Sequence, residues 1–188
     1  EQELNDFLVE EKAISSIESE VYTLYNKNRF LYSSESRPKR HLKKDPENYR
    51  NIILLLTALS VRKPEEAIKK CDELLSYYPM NSLVLFISGK AYNKLGKRDA
   101  ALKDYSASLF CKKRGFVFAT RGDLYQYKLE NHEEAVKDYT EAIKLNPTGS
   151  NSAYSDRANA YYNLNDYDKA ESDAKRYVDA GGKNFDAF

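Results

Sequence analysis

The sequence has few of the residues that form disulfides, metal sites and tight turns. Its 188 residues include two Cys, one Met, no Trp, seven Gly and five Pro. Cys71 and Cys111 are too few and too far apart for a disulfide framework or a zinc site. The low Gly and Pro content argues against a turn-rich β protein. The 31% of charged residues instead suits the exposed faces of helices.

Long apolar runs and an excess of one charge are also missing. The run Ile52–Leu56 is far shorter than the roughly 20 residues that a membrane span needs. The formal net charge is +1, so no global field favours nucleic acid or a membrane surface. We expect no membrane span and no nucleic-acid partner. No signal peptide is recognisable, which favours a cytoplasmic location, but the chain lacks an initial Met and a removed leader is the alternative.

The sequence lacks the arrangements that catalysis, metal binding or cofactor binding would need. His41 and His132 are the two histidines, and no second His follows His132 at the spacing of a metalloprotease motif. No Gly-rich phosphate loop is present. We therefore expect no catalytic residues, no metal and no cofactor.

A spacing of 34 residues recurs at several independent positions. The interval lengthens to 35 only before the last member of each series. The series are Ala67, Ala101, Ala135 and Ala170, and Leu75, Leu109, Ile143 and Val178. A period of this length made of two helical stretches predicts stacked helical repeats, which usually present a binding surface.

Turn chemistry and hydrophobic spacing divide each repeat into two helices. Pro64 suits the first turn of a helix, and Asn131 with Glu134 forms a variant of the capping box. Gly181 and Gly182 are suited to a left-handed C-cap. The predicted pairs are 48–61 with 64–77, 82–95 with 98–111, 116–129 with 132–145, and 151–164 with 167–180.

The chain outside the repeats has a different character. Apolar residues at a spacing of three or four predict an amphipathic helix over residues 1–30, which we expect to pack on the first repeat or across a groove mouth. Residues 31–46 read as a linker, so residues 1–47 form a segment of their own. Its basic run, 37–44, is either a solvated linker or a nuclear-import or phosphate-binding signal. Residues 183–188 read as the start of a further helix or a tail.

The repeats resemble the tetratricopeptide repeat family over residues 48–182. The resemblance is carried by small and aromatic residues at fixed positions, with units of about 48–81, 82–114, 115–150 and 151–182. The best unit reads Gly122, Tyr125, Ala135, Tyr139, Ala142 and Pro147. The family implies an all-α fold, a right-handed α-solenoid of about four helix–turn–helix units with the extra N-terminal helix. Tyr105, Tyr139 and Cys71 occupy equivalent positions that we expect to be buried.

The same resemblance implies a concave groove lined by the first helix of each pair. The second unit contributes Phe86, Lys90, Asn93 and Lys94, the third contributes Thr120, Asp123, Gln126 and Tyr127, and the fourth contributes Asp156, Asn159, Tyr162 and Asn163. This mixture of rings, amides and charges is typical of surfaces that hold an extended peptide or a helix. Some relatives grip the C-terminal carboxylate of a chaperone, but Arg121 and Arg157 fall one position late for that role. We expect them to pack between helices instead.

These observations predict a non-enzymatic interaction scaffold or adaptor that binds a protein or peptide partner. Two alternatives stay open: a regulatory or targeting fragment of a larger enzyme, and a chaperone for a secreted protein. The sequence fixes neither the partner nor the oligomeric state.

Overall fold

The computed structural model of the protein describes residues 49–147 and 151–181, which form eight α-helices and no strand. The helices are α1 (Tyr49–Arg62), α2 (Pro64–Tyr77), α3 (Ser82–Lys94), α4 (Arg98–Cys111), α5 (Gly115–Lys128), α6 (His132–Leu145), α7 (Asn151–Asn163) and α8 (Tyr167–Asp179). Each boundary lies within one residue of the sequence prediction. The predicted helix at 1–30, the linker at 31–46 and the predicted helix start or tail at 183–188 lie outside the described residues.

Consecutive helices pair, and the pairs stack. The pairs are α1 with α2, α3 with α4, α5 with α6, and α7 with α8, which we call pairs 1 to 4. Each second helix also contacts the first helix of the next pair, and α1 packs along α3. Since each pair contacts its neighbours along the chain, the described region is an α-solenoid, as predicted.

Local chemistry explains where the helices begin. Pro64 occupies the first position of α2, where its missing N–H costs no hydrogen bond. The side chain of Asn81 accepts a hydrogen bond from the Val84 N–H at 3.1 Å, and Asn131 accepts one from the Glu134 N–H at the same distance. The predicted cap at Asn131 is thus confirmed, and the two amides fix the starts of α3 and α6.

The core is built from small residues and large rings. Tyr105, Tyr139 and Cys71 are fully buried, as predicted. A Cβ added to Gly89 would lie 2.7 Å from the Tyr105 ring, and one added to Gly122 would lie 2.8 Å from the Tyr139 ring. Glycine therefore allows the first helix of pairs 2 and 3 to lie directly on the ring of its partner helix.

None of the helices within 49–147 and 151–181 is both long enough and apolar enough to cross a membrane. The same part of the chain holds no group of three or more His, Cys, Asp or Glu placed to bind a metal ion. Cys71 and Cys111 are both free thiols.

Candidate functional site

The first helices of pairs 1 to 3 line a groove with a cavity of about 380 Å³. Helices α1, α3 and α5 form its walls, and the buried ring of Tyr105 in α4 lies at its floor. We call this surface the groove. Its lining residues are Ser60, Val61, Lys90, Asn93, Lys94, Tyr105, Thr120, Asp123, Leu124, Tyr127 and Lys128.

The groove brings together half of the residues that the sequence singled out. The six belong to α3 and α5, which neighbour each other in the stack. They are Lys90, Asn93, Lys94, Thr120, Asp123 and Tyr127. Because the pairs stack in register, positions about 33 residues apart along the chain come to share one surface.

Phe86 requires a correction, since its side chain is only 5% exposed. The ring packs edge-on against Phe116 of α5, with centroids 5.1 Å apart, and lies 5.8 Å from the Tyr105 ring. The following pair therefore covers the side chain that was expected to face a ligand. Phe86 instead supports the groove from below, where its ring centroid lies 5.8 Å from the Lys90 ammonium.

Gln126 also differs from the expectation, because it is 4% exposed. Its Oε1 lies 2.8 Å from Nδ1 of His132, the first residue of α6. The contact joins the end of α5 to the start of its partner helix. Gln126 thus stabilises the turn within pair 3 and presents little surface to a ligand.

The four predicted residues of α7 lie beside this cavity and not in its lining. Asp156 and Asn159 are half-buried, whereas Tyr162 and Asn163 are exposed. The Tyr127 hydroxyl donates a hydrogen bond of 3.2 Å to Asp156, which links α5 to α7. The Tyr162 ring packs edge-on against Tyr167, with centroids 5.4 Å apart. The surface therefore continues from the groove toward pair 4 through the Tyr127–Asp156 contact.

Two carboxyl groups at this junction have strongly perturbed acidity. Burial, with a contribution from the charge of Asp156, raises the pKa of Asp123 to about 7. Burial raises the pKa of Asp156 to about 6. The Tyr139 hydroxyl donates a hydrogen bond of 3.0 Å to Asp123 and partly offsets the shift. A positively charged group placed here would favour ionisation of both carboxyls.

The opposite wall carries the complementary charge. Burial lowers the pKa of Lys90 to about 8. Lys94, one turn further along α3, is exposed, and Lys128 of α5 is exposed at the same cavity. The groove thus runs from a lysine-rich wall on α3 to a carboxyl pair shared by α5 and α7, which suits a ligand with charges of both signs.

The two arginines that were expected to pack between helices do so. Arg121 donates two hydrogen bonds, of 2.8 and 2.7 Å, to the buried carboxylate of Asp138. Arg157 donates two, of 2.7 and 2.8 Å, to Asp173. Neither carboxylate is among the residues predicted from the sequence. A signal existed, because Asp138 and Asp173 are 35 residues apart, the same spacing as Ala135 and Ala170.

Comparison with known proteins agrees with this architecture. A model of the tetratricopeptide repeat family matches residues 124–185. No curated protein sequence matches the chain. A tetratricopeptide repeat protein from Parabacteroides merdae is 25% identical, with a TM-score of 0.59 over 89% of this chain and 66% of that one.

Two further solved structures share the fold. TTC0263, a thermophilic repeat protein of Thermus thermophilus, is 17% identical, with a TM-score of 0.66 over 86% of this chain and 87% of that one. The first repeat domain of Spaghetti (RPAP3), bound to the HSP90 peptide SRMEEVD, is 28% identical, with a TM-score of 0.51 over 55% of this chain and 82% of that one. The resemblance predicted from the periodic residues is confirmed: residues 124–185 match the tetratricopeptide repeat family, and the described residues form an α-solenoid similar to these solved structures.

Proposed function

We propose that this protein is a non-enzymatic interaction module whose groove binds an extended peptide or a helix of a partner protein. The observation that carries the proposal is the convergence of six predicted contact residues from α3 and α5 on one cavity of about 380 Å³. Cavities that combine rings with a few polar groups are the usual sites of ligand binding. A structurally similar repeat domain holds a peptide.

The charges of the groove set the expected orientation of the ligand. An acidic residue of the peptide faces Lys90 and Lys94, and a basic residue faces Asp123 and Asp156. The exposed ring of Tyr127, and further along that of Tyr162, contact apolar side chains. Ring burial supplies most of the affinity, roughly 1–3 kcal/mol for each ring. The charges act more on orientation and association rate.

Recognition of a chaperone's C-terminal carboxylate is not part of the proposal. The guanidinium groups of Arg121 and Arg157 are already held by Asp138 and Asp173. Their remaining Nη1 groups bond to Ser106 and Thr140 of the preceding pair. Neither arginine is therefore placed to receive a carboxylate from a ligand.

The test begins with affinity capture on the whole chain and identification of the bound protein. Binding of that partner is then measured to Tyr127→Ala and to the matched control Tyr78→Ala, whose ring is 62% exposed outside the groove. We expect Tyr127→Ala to weaken binding about tenfold, equivalent to about 1.4 kcal/mol, and Tyr78→Ala to leave it unchanged. Equal binding by wild type and Tyr127→Ala, with helicity intact by circular dichroism, would reject the groove as the site.

A cytoplasmic location and the absence of enzymatic activity belong to the same proposal. Two free cysteines are compatible with a reducing compartment. The location is tested by tagging the protein at its natural gene, expressing it in cells and fractionating those cells. Turnover by the purified chain that disappears with Asp123→Asn would contradict the non-enzymatic assignment.

A further inference from the structure

A second cavity, of about 360 Å³, lies between α6, α7 and α8, away from the groove. We call it the outer pocket. Helix α8 supplies half of its lining, and three of the eight lining residues are cations. The lining includes Tyr154, Arg157, Tyr161, Lys169, Asp173 and Arg176.

The cations and rings of the outer pocket alternate. Arg176 lies 5.9 Å from the centroid of the Tyr154 ring. Arg157 lies 5.7 Å from the centroid of the same ring and 5.8 Å from that of the Tyr161 ring. Lys169 completes the series at 5.3 Å from Tyr161. Contacts of this kind attract the cationic groups to the ring faces and restrict their positions.

The three cations differ in how they are neutralised. Arg157 is paired with Asp173 through two hydrogen bonds, so it acts as a structural centre of the series. Lys169 is exposed and forms one ion pair, with Asp166. Arg176 is exposed and has no ion pair with any described carboxylate. The two ends of the series therefore retain hydrogen-bond donors for an anionic partner.

Pair 3 provides an internal comparison, because it has the same centre without the cationic ends. Arg121 pairs with Asp138 and lies near the rings of Phe118 and Tyr125, as Arg157 does in pair 4. The positions equivalent to Lys169 and Arg176, 35 residues earlier, are Glu134 and Glu141. Both glutamates are paired with lysines of their own helix. The scaffold does not require cations at these positions, so their presence in pair 4 is a property of that surface.

Helix geometry sets the spacing of the anions that would fit. Lys169 and Arg176 are seven residues apart, which is two helical turns and about 10 Å along α8. One phosphoryl group is too small to contact both. In a polyproline II peptide, side chains three residues apart lie on the same side and about 9 Å apart. Two carboxylates at that spacing match the two cations.

From this correspondence we propose that the outer pocket binds an acidic peptide in which two carboxylates lie three residues apart in an extended, polyproline-like conformation. The peptide backbone runs along α8, with one carboxylate at Arg176 and the other at Lys169. The rings of Tyr154 and Tyr161 lie beneath the intervening residues. This second surface is independent of the groove and leaves it open to another ligand.

The probe is a synthetic peptide with Glu-Pro-Pro-Glu at its centre, titrated into the isotope-labelled full chain and followed by nuclear magnetic resonance. We expect amide shifts confined to α7, α8 and the adjoining end of α6. Binding should be about fivefold weaker in Arg176→Gln, which corresponds to an exposed ion pair of about 1 kcal/mol. Lys169→Gln should weaken binding less, since Asp166 already shares that charge. Lys175→Gln, which removes an exposed charge of the same helix outside the pocket, is the matched control.

Two further peptides and one groove variant make the result decisive. A Pro-Glu-Glu-Pro peptide of the same composition should bind more weakly than Glu-Pro-Pro-Glu, and a peptide with one phosphoserine should not exceed it. Tyr127→Ala should leave binding unchanged, which separates this site from the groove. Equal binding of the two glutamate peptides, stronger binding of the phosphopeptide, or equal effects of Arg176→Gln and Lys175→Gln would each overturn the proposal.

Discussion

The inner helix pairs, 2 and 3, and the outer helix pairs, 1 and 4, use different residues where their two helices pack together. In pairs 2 and 3 a glycine of the first helix faces a buried tyrosine of the second, Gly89 with Tyr105 and Gly122 with Tyr139. The equivalent residues of pair 1 are Leu55 and Cys71, and those of pair 4 are Ala158 and Ala174. All four of these outer residues are buried as well. The inner pairs therefore combine the smallest side chain with a large one, whereas the outer pairs use residues of more equal size.

The difference connects packing to the groove. A tyrosine ring that lies on a glycine brings its hydroxyl close to the neighbouring residues of the first helix. The Tyr139 hydroxyl reaches Asp123 in this way, and the Tyr105 ring lines the groove floor. Cys71 and Ala174 are too short to do so. The inner pairs thus determine both the stability of the stack and the chemistry of its groove.

The largest predicted effect comes from removing an inner ring. Tyr139→Ala should lower the free energy of unfolding by about 3–5 kcal/mol, because it leaves a cavity between two helices and removes the Asp123 hydrogen bond. Equilibrium denaturation by urea measures the loss. Cys71→Ala, the smaller change at the equivalent position of pair 1, should cost less.

The position of the damage is also predicted. Since repeats couple mainly to their neighbours, hydrogen exchange in Tyr139→Ala should increase more in α7 and α8 than in α1 and α2. A loss below about 1 kcal/mol, or uniform exchange in all four pairs, would mean that the ring does not hold the inner pairs together.

The second prediction concerns the buried ion pairs, which the inner and outer regions share. Asp138→Ala and Asp173→Ala should each cost about 3 kcal/mol, because each leaves a partly buried arginine without its carboxylate. The two losses should be similar, in contrast to the unequal effects at the ring position. Lys144→Ala, which breaks the exposed pair with Glu141, should cost about 0.5 kcal/mol or less and serves as the control.

The third prediction concerns a methyl group added at the close contact between Gly122 and the Tyr139 ring. Gly122→Ala should destabilise the protein by about 1–2 kcal/mol, since the steric cost against the Tyr139 ring exceeds the helix-propensity gain of about 1 kcal/mol. Ala158→Gly tests the outer pair in the opposite direction and should cost about 1 kcal/mol. A Gly122→Ala protein as stable as the wild type would show that the ring moves aside easily.

The fourth prediction is a dependence of stability on pH. The pKa of Asp123 is about 7 in the folded protein and has an ordinary value of 3.8, so between these values the folded state binds the additional proton. Its contribution to stability is complete below pH 3.8 and is lost as the pH rises toward 7. Asp123→Asn should therefore reduce the fall in unfolding free energy between pH 4.5 and about 7.5. Asp99→Asn, an exposed change in α4, should not.

The sequence predicts the helices well because their periodicity and caps are local signals. Residues such as Pro64 and Asn131 act within one turn, and the recurring alanines identify the face of each second helix. The environment of a groove residue depends instead on the other helices that pack against it. Phe86 is buried because Phe116 of α5 covers it, and Gln126 is buried beside His132 of α6. Neither contact has a local sequence signal.

The raised pKa of Asp123 likewise depends on residues of other helices. Its position on a first helix predicts an exposed carboxylate, but the Tyr139 hydroxyl and the neighbouring Asp156 belong to other helices. Residue spacing alone does not predict the burial or the pKa of a side chain whose contacts come from two helix pairs.

Site-specific photo-cross-linking tests whether the groove lined by pairs 1 to 3 holds the partner. Benzoylphenylalanine is placed at Tyr127, in the groove, or at Phe110, which is 84% exposed and lies outside it. After irradiation with the partner identified by affinity capture, we expect a cross-linked product at Tyr127 and little at Phe110. Cross-linking at Phe110 with none at Tyr127 would show that the partner binds another face of the solenoid.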